Sequence, residues 1–311
     1  VNEYDYVHIH QVTFFQQFKQ LFPNYQGKII LTSHSPCPFS EELLEVAINP
    51  KSPIRGLVRL LRPSLLRMEC SAYDMADYVM FPCVGAREPY EKYEIMRKTF
   101  MRNDKKFFYV PSSIIDYHPK IKTQQKISDF NIPSDAFVIS YFGRHISVKG
   151  YDVLIKVGLE LLDKFPNLYF LCGGNGAIPS PHHPRWIELG FINNVDDILP
   201  QSSLYILPNK ETYFDLITLQ VLRAGVPLVL SSTGGNKYFM ELPEEETKGM
   251  LFFDIDDIEN LSKLVDDVIR MKMLHIEQYV LLQQSNRKLY ETHFTIDKYI
   301  SNYIEAINKL Q

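Results

Sequence analysis

Short apolar runs rich in β-branched and aromatic residues alternate with helix-period segments along nearly the whole chain, and this alternation constrains the fold more than any other feature. In the first half, strands are expected near 6–10, 28–33, 77–81 and 106–110, separated by helical stretches near 12–21, 52–69 and 87–100. In the second half, strands are expected near 137–142, 168–172, 203–207, 227–231 and 250–253, followed by a mainly helical tail from 257 to 310. Strands separated by helix-length segments build βαβ units and parallel sheets. The expected class is therefore α/β, as two Rossmann-like domains facing a cleft. A chain of 311 residues is long enough for two such domains, each with its own core.

Between Pro111 and Pro133 the composition turns polar, with Lys120, Lys122, Gln124, Gln125 and Lys126, which marks an interdomain linker. The expected division is a first domain over 1–132 that includes the linker 111–132, a second over 133–295, and a terminal helix over 296–311 packing back on the first domain. A strand is expected at Tyr6-Val-His-Ile-His10 with no glycine-rich βα unit before it, so the first domain is expected to be short or truncated.

A net charge of −4 and a pI near 6.2 give no support to a nucleic-acid partner. Cys37, Cys70, Cys83 and Cys172 lack C-x-x-C spacing, which argues against a zinc site and a disulfide framework and for a reducing, cytoplasmic setting. No apolar run approaches the roughly 18–20 residues that cross a bilayer. The acids of Asp254-Ile-Asp-Asp257 precede a helix and read as caps rather than as a metal cluster. No strand is followed by G-x-G-x-x-G, and Gly173-Gly174-Asn175-Gly176 does not match it, which disfavours a nicotinamide dehydrogenase.

The segment Ser140 to Gly150 reads Ser-Tyr-Phe-Gly-Arg-His-Ile-Ser-Val-Lys-Gly. An apolar strand breaks at Gly143, and a helix is expected from 151, where Val153, Leu154, Val157, Leu161 and Leu162 recur at helical spacing. Arg144 and Lys149 thus sit at the carboxyl end of a strand, where open α/β sheets bind ligands and helix amino termini aim N–H groups at anions. A guanidinium grips phosphate oxygens with two parallel bonds and an ammonium adds a point charge. The pair reads as a diphosphate grip, against the plainer reading of two solvated cations at a turn. Downstream, a strand ends at Pro208, a polar loop follows, and a helix from Leu216 stops at Gly225 with Pro227 beyond.

These pieces in this order resemble the nucleotide-sugar-binding domain of retaining glycosyltransferases with the GT-B fold, over residues 137–260. The resemblance rests on Gly143-Arg144 through Lys149-Gly150, the Leu168–Gly176 strand and turn, Leu189-Gly190-Phe191, Leu207-Pro208, the Leu216–Gly225 helix and Ser231–Gly235. It implies a metal-independent enzyme, with no cofactor, that moves a sugar from a nucleotide-diphosphate sugar to a saccharide, lipid-linked or protein acceptor with retention. By that resemblance Arg144 and Lys149 would neutralise the departing diphosphate, and Gly190, Phe191 and Ile192 would lie near the base. Gly143, Phe214, Asp215 and Leu216 would complete the donor site. The family's paired glutamates fall here on Thr212, toward the sugar, and Gln220, toward the ribose, with Glu211 the neighbouring carboxylate. Thr32-Ser33-His34 resembles the family's Thr-x-His segment, which would give His34 a role in positioning donor or acceptor. Thr212, Gln220 and the short first domain also fit an alternative, a non-catalytic subunit that binds or stabilises a partner glycosyltransferase.

His8 and His10 share one face of their strand and are expected as a hydrogen-bonded pair. In the 51–67 region, Arg55, Arg59 and Arg62 recur among leucines between Lys51 and Arg67, with Pro63 expected to break the run. Such a stretch fits peripheral contact with anionic lipid at the inner membrane face; the plainer reading is a solvated helix face.

Overall fold

The computed structural model describes residues 3–44, 52–117 and 127–310. Two compact units divide the chain: Val1–Pro111 with Asn302–Gln311, and Ser112–Ser301. Of the residues singled out above, Lys51 and the polar run Lys120, Lys122, Gln124, Gln125 and Lys126 lie outside the described residues.

In the first unit β1 (Tyr6–Ile9), β2 (Lys28–Leu31), β3 (Tyr78–Phe81) and β4 (Phe107–Tyr109) form a parallel sheet in that order. The helices are α1 (Val12–Leu21), α2 (Phe39–Glu42), α3 (Ile54–Met75), α4 (Glu88–Glu91) and α5 (Glu94–Arg102). His8, Ile30 and Tyr78 lie in register, so their side chains share one face of the sheet. Residues 302–310 reach that face, where the Tyr303 hydroxyl bonds the His8 ring at 3.0 Å and the Tyr78 hydroxyl donates to the Leu310 carbonyl at 2.8 Å. The helix α3 runs through Pro63 instead of breaking there. A proline costs a helix interior about 3 kcal/mol, and here buried Val58 before it and Leu66, Cys70, Ala72 and Tyr73 after it hold both halves to the core.

The second unit contains β5 (Phe137–Phe142), β6 (Leu168–Gly173), β7 (Trp186–Glu188), β8 (Leu204–Leu207), β9 (Leu228–Ser231) and β10 (Met250–Phe253). Its helices are α6 (Tyr151–Lys164), α7 (Leu216–Arg223), α8 (Lys237–Met240), α9 (Ile258–Leu274), α10 (Ile276–His293) and α11 (Ile296–Asn308), whose last residues belong to the first unit. All strands are parallel, in the order β10-β9-β8-β5-β6-β7. The winding reverses between β5 and β8, and such a switch point is where the loops leaving two neighbouring strands part and open a crevice. Strand β7 was not expected: three residues are too few for a periodicity signal, and it is fixed by pairing with β6 and by the Trp186 ring stacked 4.7 Å from Phe170.

The cut between units falls at Pro111–Ser112, upstream of the expected boundary at 132, because residues 112–117 are bonded to the second unit. The Ile114 N–H donates to the Phe294 carbonyl at 3.2 Å, the Tyr290 hydroxyl donates to the Ile114 carbonyl at 3.0 Å, and Arg287 grips the Asp116 carboxylate at 2.8 and 3.0 Å. Polar composition marked this stretch as a link, but composition does not report which surface a segment lies on. At the start of α9 the Asp257 side chain accepts from the Asn260 N–H at 2.9 Å, a helix cap.

Candidate active site

The site forms where β5 and β8 stop pairing. Only Ile139 and Ser140 pair with β8; beyond them the Tyr205 hydroxyl takes over, accepting from the Phe142 N–H at 2.8 Å and donating to the Phe142 carbonyl at 3.0 Å. One buried hydroxyl thereby satisfies both backbone groups of a strand end that has lost its neighbour, and holds the two strands apart. Full burial pushes the Tyr205 pKa far up, so it remains a neutral phenol.

The loops that leave these strands are tied together. Lys210 N–H donates to the Val148 carbonyl at 2.9 Å, and Lys210 Nζ reaches Ser147 Oγ at 2.9 Å and Asp152 Oδ2 at 2.5 Å. Gly150 adopts φ 66°, and a Cβ there would stand 1.7 Å from the Pro208 carbonyl oxygen. Only glycine permits both that backbone and that approach. The result places Lys149 against the 208–215 loop, where its Nζ lies 2.8 Å from each carboxylate oxygen of Asp215. Asn209 donates to the same carboxylate. Asp215 precedes α7 but makes no side-chain cap bond to it; its oxygens go to Lys149 and Asn209. The Arg144 carbonyl accepts from the Tyr141 hydroxyl at 2.9 Å, while its half-buried guanidinium makes no hydrogen bond or ion pair among the described residues, so its donors are available.

Gly143, Arg144, Lys149, Glu211, Thr212, Phe214 and Asp215 are thus gathered on two adjoining loops, with Leu216 opening α7 at the end of the second. Thr212 is fully buried, its hydroxyl without a hydrogen-bond partner among the described residues. The Gly235 N–H donates to the Thr212 carbonyl at 3.1 Å, closing the 231–235 loop over it. Phe214 is buried against Phe239, ring centroids 5.6 Å apart. Gly190 joins the site's edge by accepting from the Gly174 N–H at 2.7 Å; beside it Phe191 is 77% exposed and Ile192 packs toward Gly173.

Gln220 looks elsewhere, donating to both oxygens of Asp196 at 3.4 Å. Asp196 also pairs with Arg223, whose guanidinium donates to the Ile115 carbonyl and is 9% exposed. Tyr117 bonds Asp197 at 2.5 Å, which raises its pKa. Sequence reasoning did not single out Asp196, Asn209 or Tyr205; Asn209 had the best signal, one residue past a strand-ending proline.

In the first unit, His10 Nδ1 lies 3.0 Å from His34 Nε2, while the His8 ring stacks on His10 with centroids 4.1 Å apart. The bonded pair is therefore His10 with His34, not His8 with His10, because the partners of His8 are Thr32 at 2.7 Å and Tyr303. Burial, then the nearby His10 and His34, holds the His8 pKa down to about 3. Burial lowers His10 and His34 as well.

Residues 136–270 match the family described as Glycosyl transferases group 1. Among curated proteins, the O-antigen biosynthesis glycosyltransferase WclY of Escherichia coli is 25% identical over 193 residues, covering 58% of this chain and 49% of that protein. The D-inositol 3-phosphate glycosyltransferase of Corynebacterium aurimucosum is 28% identical over 130 residues, 36% of this chain and 31% of its own length. The chain therefore spans half or less of these relatives. Among solved structures, sucrose-phosphate synthase of Thermosynechococcus elongatus superposes with a TM-score of 0.69 at 16% identity, over 99% of this chain and 74% of that one. HepE of Anabaena, solved in complex with UDP, gives 0.70 at 12% identity, over 99% and 79%. These likenesses show the fold, which is GT-B.

Proposed function

We propose, since residues 136–270 match the Glycosyl transferases group 1 family, that the chain moves a sugar from a nucleoside-diphosphate sugar to a saccharide or lipid-linked acceptor. The observation that carries this reading is the junction of two loops at the β5/β8 switch point, one of which carries both Lys149 and Arg144, the latter with unspent guanidinium donors. In the reading, the bond from the anomeric carbon to the diphosphate oxygen breaks while the acceptor oxygen forms its bond on the same face, giving retention. The acceptor's proton passes to the departing diphosphate oxygen. Arg144 and Lys149 hold the negative charge that grows on the leaving group, which fixed cations stabilise without reorganising, so no metal is required of the mechanism. Glu211 stands on the sugar side, and His34 serves donor or acceptor positioning.

The reading includes an acceptor met at a membrane surface. On α3, Ile54, Leu57, Leu60 and Leu61 are exposed along with Arg59, while Arg62 is engaged by Glu41 at 2.5 Å. Exposed leucines beside an arginine suit anionic lipid; no helix among the described residues is long and apolar enough to cross a membrane. Sedimentation with phosphatidylglycerol vesicles, lost in Leu57→Ser/Leu60→Ser and absent with neutral lipid, is the expected behaviour.

The non-catalytic alternative is favoured by one observation, the Asp215 carboxylate that already meets the Lys149 charge. Donor hydrolysis decides. A thermal-shift screen of UDP, GDP, ADP and their sugar conjugates identifies the nucleotide, and the matching donor is then followed for slow release of free nucleotide. Arg144→Ala is expected to lower that release by about 10²–10³-fold. A chain that binds the donor but never releases nucleotide is a binding subunit.

A further inference from the structure

At the amino-terminal end of the second unit's sheet, opposite the end that carries Gly143 and Pro208, a cavity of about 370 Å³ opens between the starts of β5 and β6 and the last turn of α9. Its walls are apolar: Phe137, Phe165, Leu168, Ile269 and Met273. One cation enters it. Lys272 Nζ donates to Ser203 Oγ at 2.6 Å and sits 5.3 Å from the centroid of the Phe137 ring and 5.5 Å from that of Tyr279. Two of the three ammonium N–H groups therefore have no hydrogen-bonding partner among the described residues, and the amine forms no ion pair there. Asp135, on the rim, is held by Asn167, which donates to its carboxylate at 3.1 Å.

We infer that this cavity is a binding site for a small organic acid, its aryl or short alkyl body among the apolar side chains and its carboxylate on Lys272 Nζ. The volume falls within the roughly 300–1,000 Å³ range of small-molecule pockets, which are mostly apolar with a few polar groups that fix orientation. A monoanion is the matched charge: one ammonium offers two donors, whereas a phosphate dianion would bring a second negative charge toward Asp135 with no second cation among the lining residues. The cation also lies in the last turn of α9, where the helix carbonyls favour positive charge. Burial holds the Lys272 pKa below that of a free lysine, and a bound carboxylate would offset that cost.

The site is remote from the diphosphate loops, so its test is independent of the function proposed above. The full chain is titrated with 4-phenylbutyrate and with its neutral amide by ligand-observed NMR. Saturable binding of the acid in about the millimolar range is expected, given its size, with the amide about tenfold weaker. Lys272→Met is expected to remove that preference, its folding checked by thermal unfolding. In the unaltered chain, amine labelling followed by peptide mapping is expected to show Lys272 protected by phenylbutyrate and other lysines unaffected. Equal affinity for acid and amide, unsaturable binding, or unprotected Lys272 overturns the proposal.

Discussion

Lys149 and Asp215, 66 residues apart in the chain, share a two-oxygen ion pair at 2.8 Å. The second of the two cations that the sequence marks for a diphosphate is therefore already partnered in the free protein, and under the proposed function a nucleotide would share it. Removing the carboxylate should strengthen the pull on phosphate. Asp215→Asn is expected to tighten UDP binding about threefold to tenfold, and Lys149→Met to weaken it at least about tenfold, measured by calorimetry. If Asp215→Asn weakens UDP as much as Lys149→Met does, Asp215 serves to aim the lysine, not to compete for it.

Gly150 sets how closely the two loops approach. Alanine there would need both a left-handed backbone, costing about 1–2 kcal/mol, and displacement of the Pro208 carbonyl. Gly150→Ala should lose at least about 2 kcal/mol of stability in urea and weaken UDP binding in parallel. Unchanged binding in a destabilised variant would detach the loop junction from nucleotide recognition.

Arg223 is nearly buried and depends on Asp196 and the Ile115 carbonyl. Asp196→Ala leaves the guanidinium without its counter-charge and should cost about 3–5 kcal/mol, whereas Asp196→Asn, which keeps an acceptor, should cost less. Urea denaturation of the two variants checks the order.

Glu69 is fully buried on α3; one of its oxygens accepts from the Phe39 N–H at 2.8 Å and the other has no partner among the described residues. Burial pushes its pKa up to about 8 from 4.5, with Glu42 and Glu41 adding to the rise. Between those two values the folded protein holds a proton that the unfolded chain releases, so this group makes stability fall as pH rises. Glu69→Gln removes the titration while keeping the acceptor for Phe39. The variant should be more stable by about 1–3 kcal/mol near pH 7.5 and nearly unchanged near pH 4.5. Equal melting shifts at both pH values would contradict the buried protonated acid.

Much of the fold was legible because its signals are local. The bounds of β5 and β10 follow from runs of β-rich apolar residues, and α6 follows from apolar residues at helical spacing beginning one residue past Gly150. The Asp257 cap was legible for the same reason, since it acts on an N–H three residues away. Pro63 misled, because the proline rule describes a helix without tertiary support, and α3 has a buried face on both sides of it. The family glutamate positions could be counted onto Thr212 and Gln220, yet counting could not show that Thr212 is sealed beneath the 231–235 loop or that Gln220 turns to Asp196.

Sequence by itself determined the alternation of strands and helices, hence parallel sheets, and it placed Arg144 and Lys149 in a strand-to-helix turn. Only the tertiary structure decided which strand lies beside β5, and with it that the Gly143–Gly150 loop meets the Pro208–Asp215 loop, that Lys149 finds Asp215, and that His10 finds His34 rather than His8. Periodicity is fixed by backbone geometry over a few residues, whereas pairing of charges and rings is fixed by which distant loops the sheet order brings together.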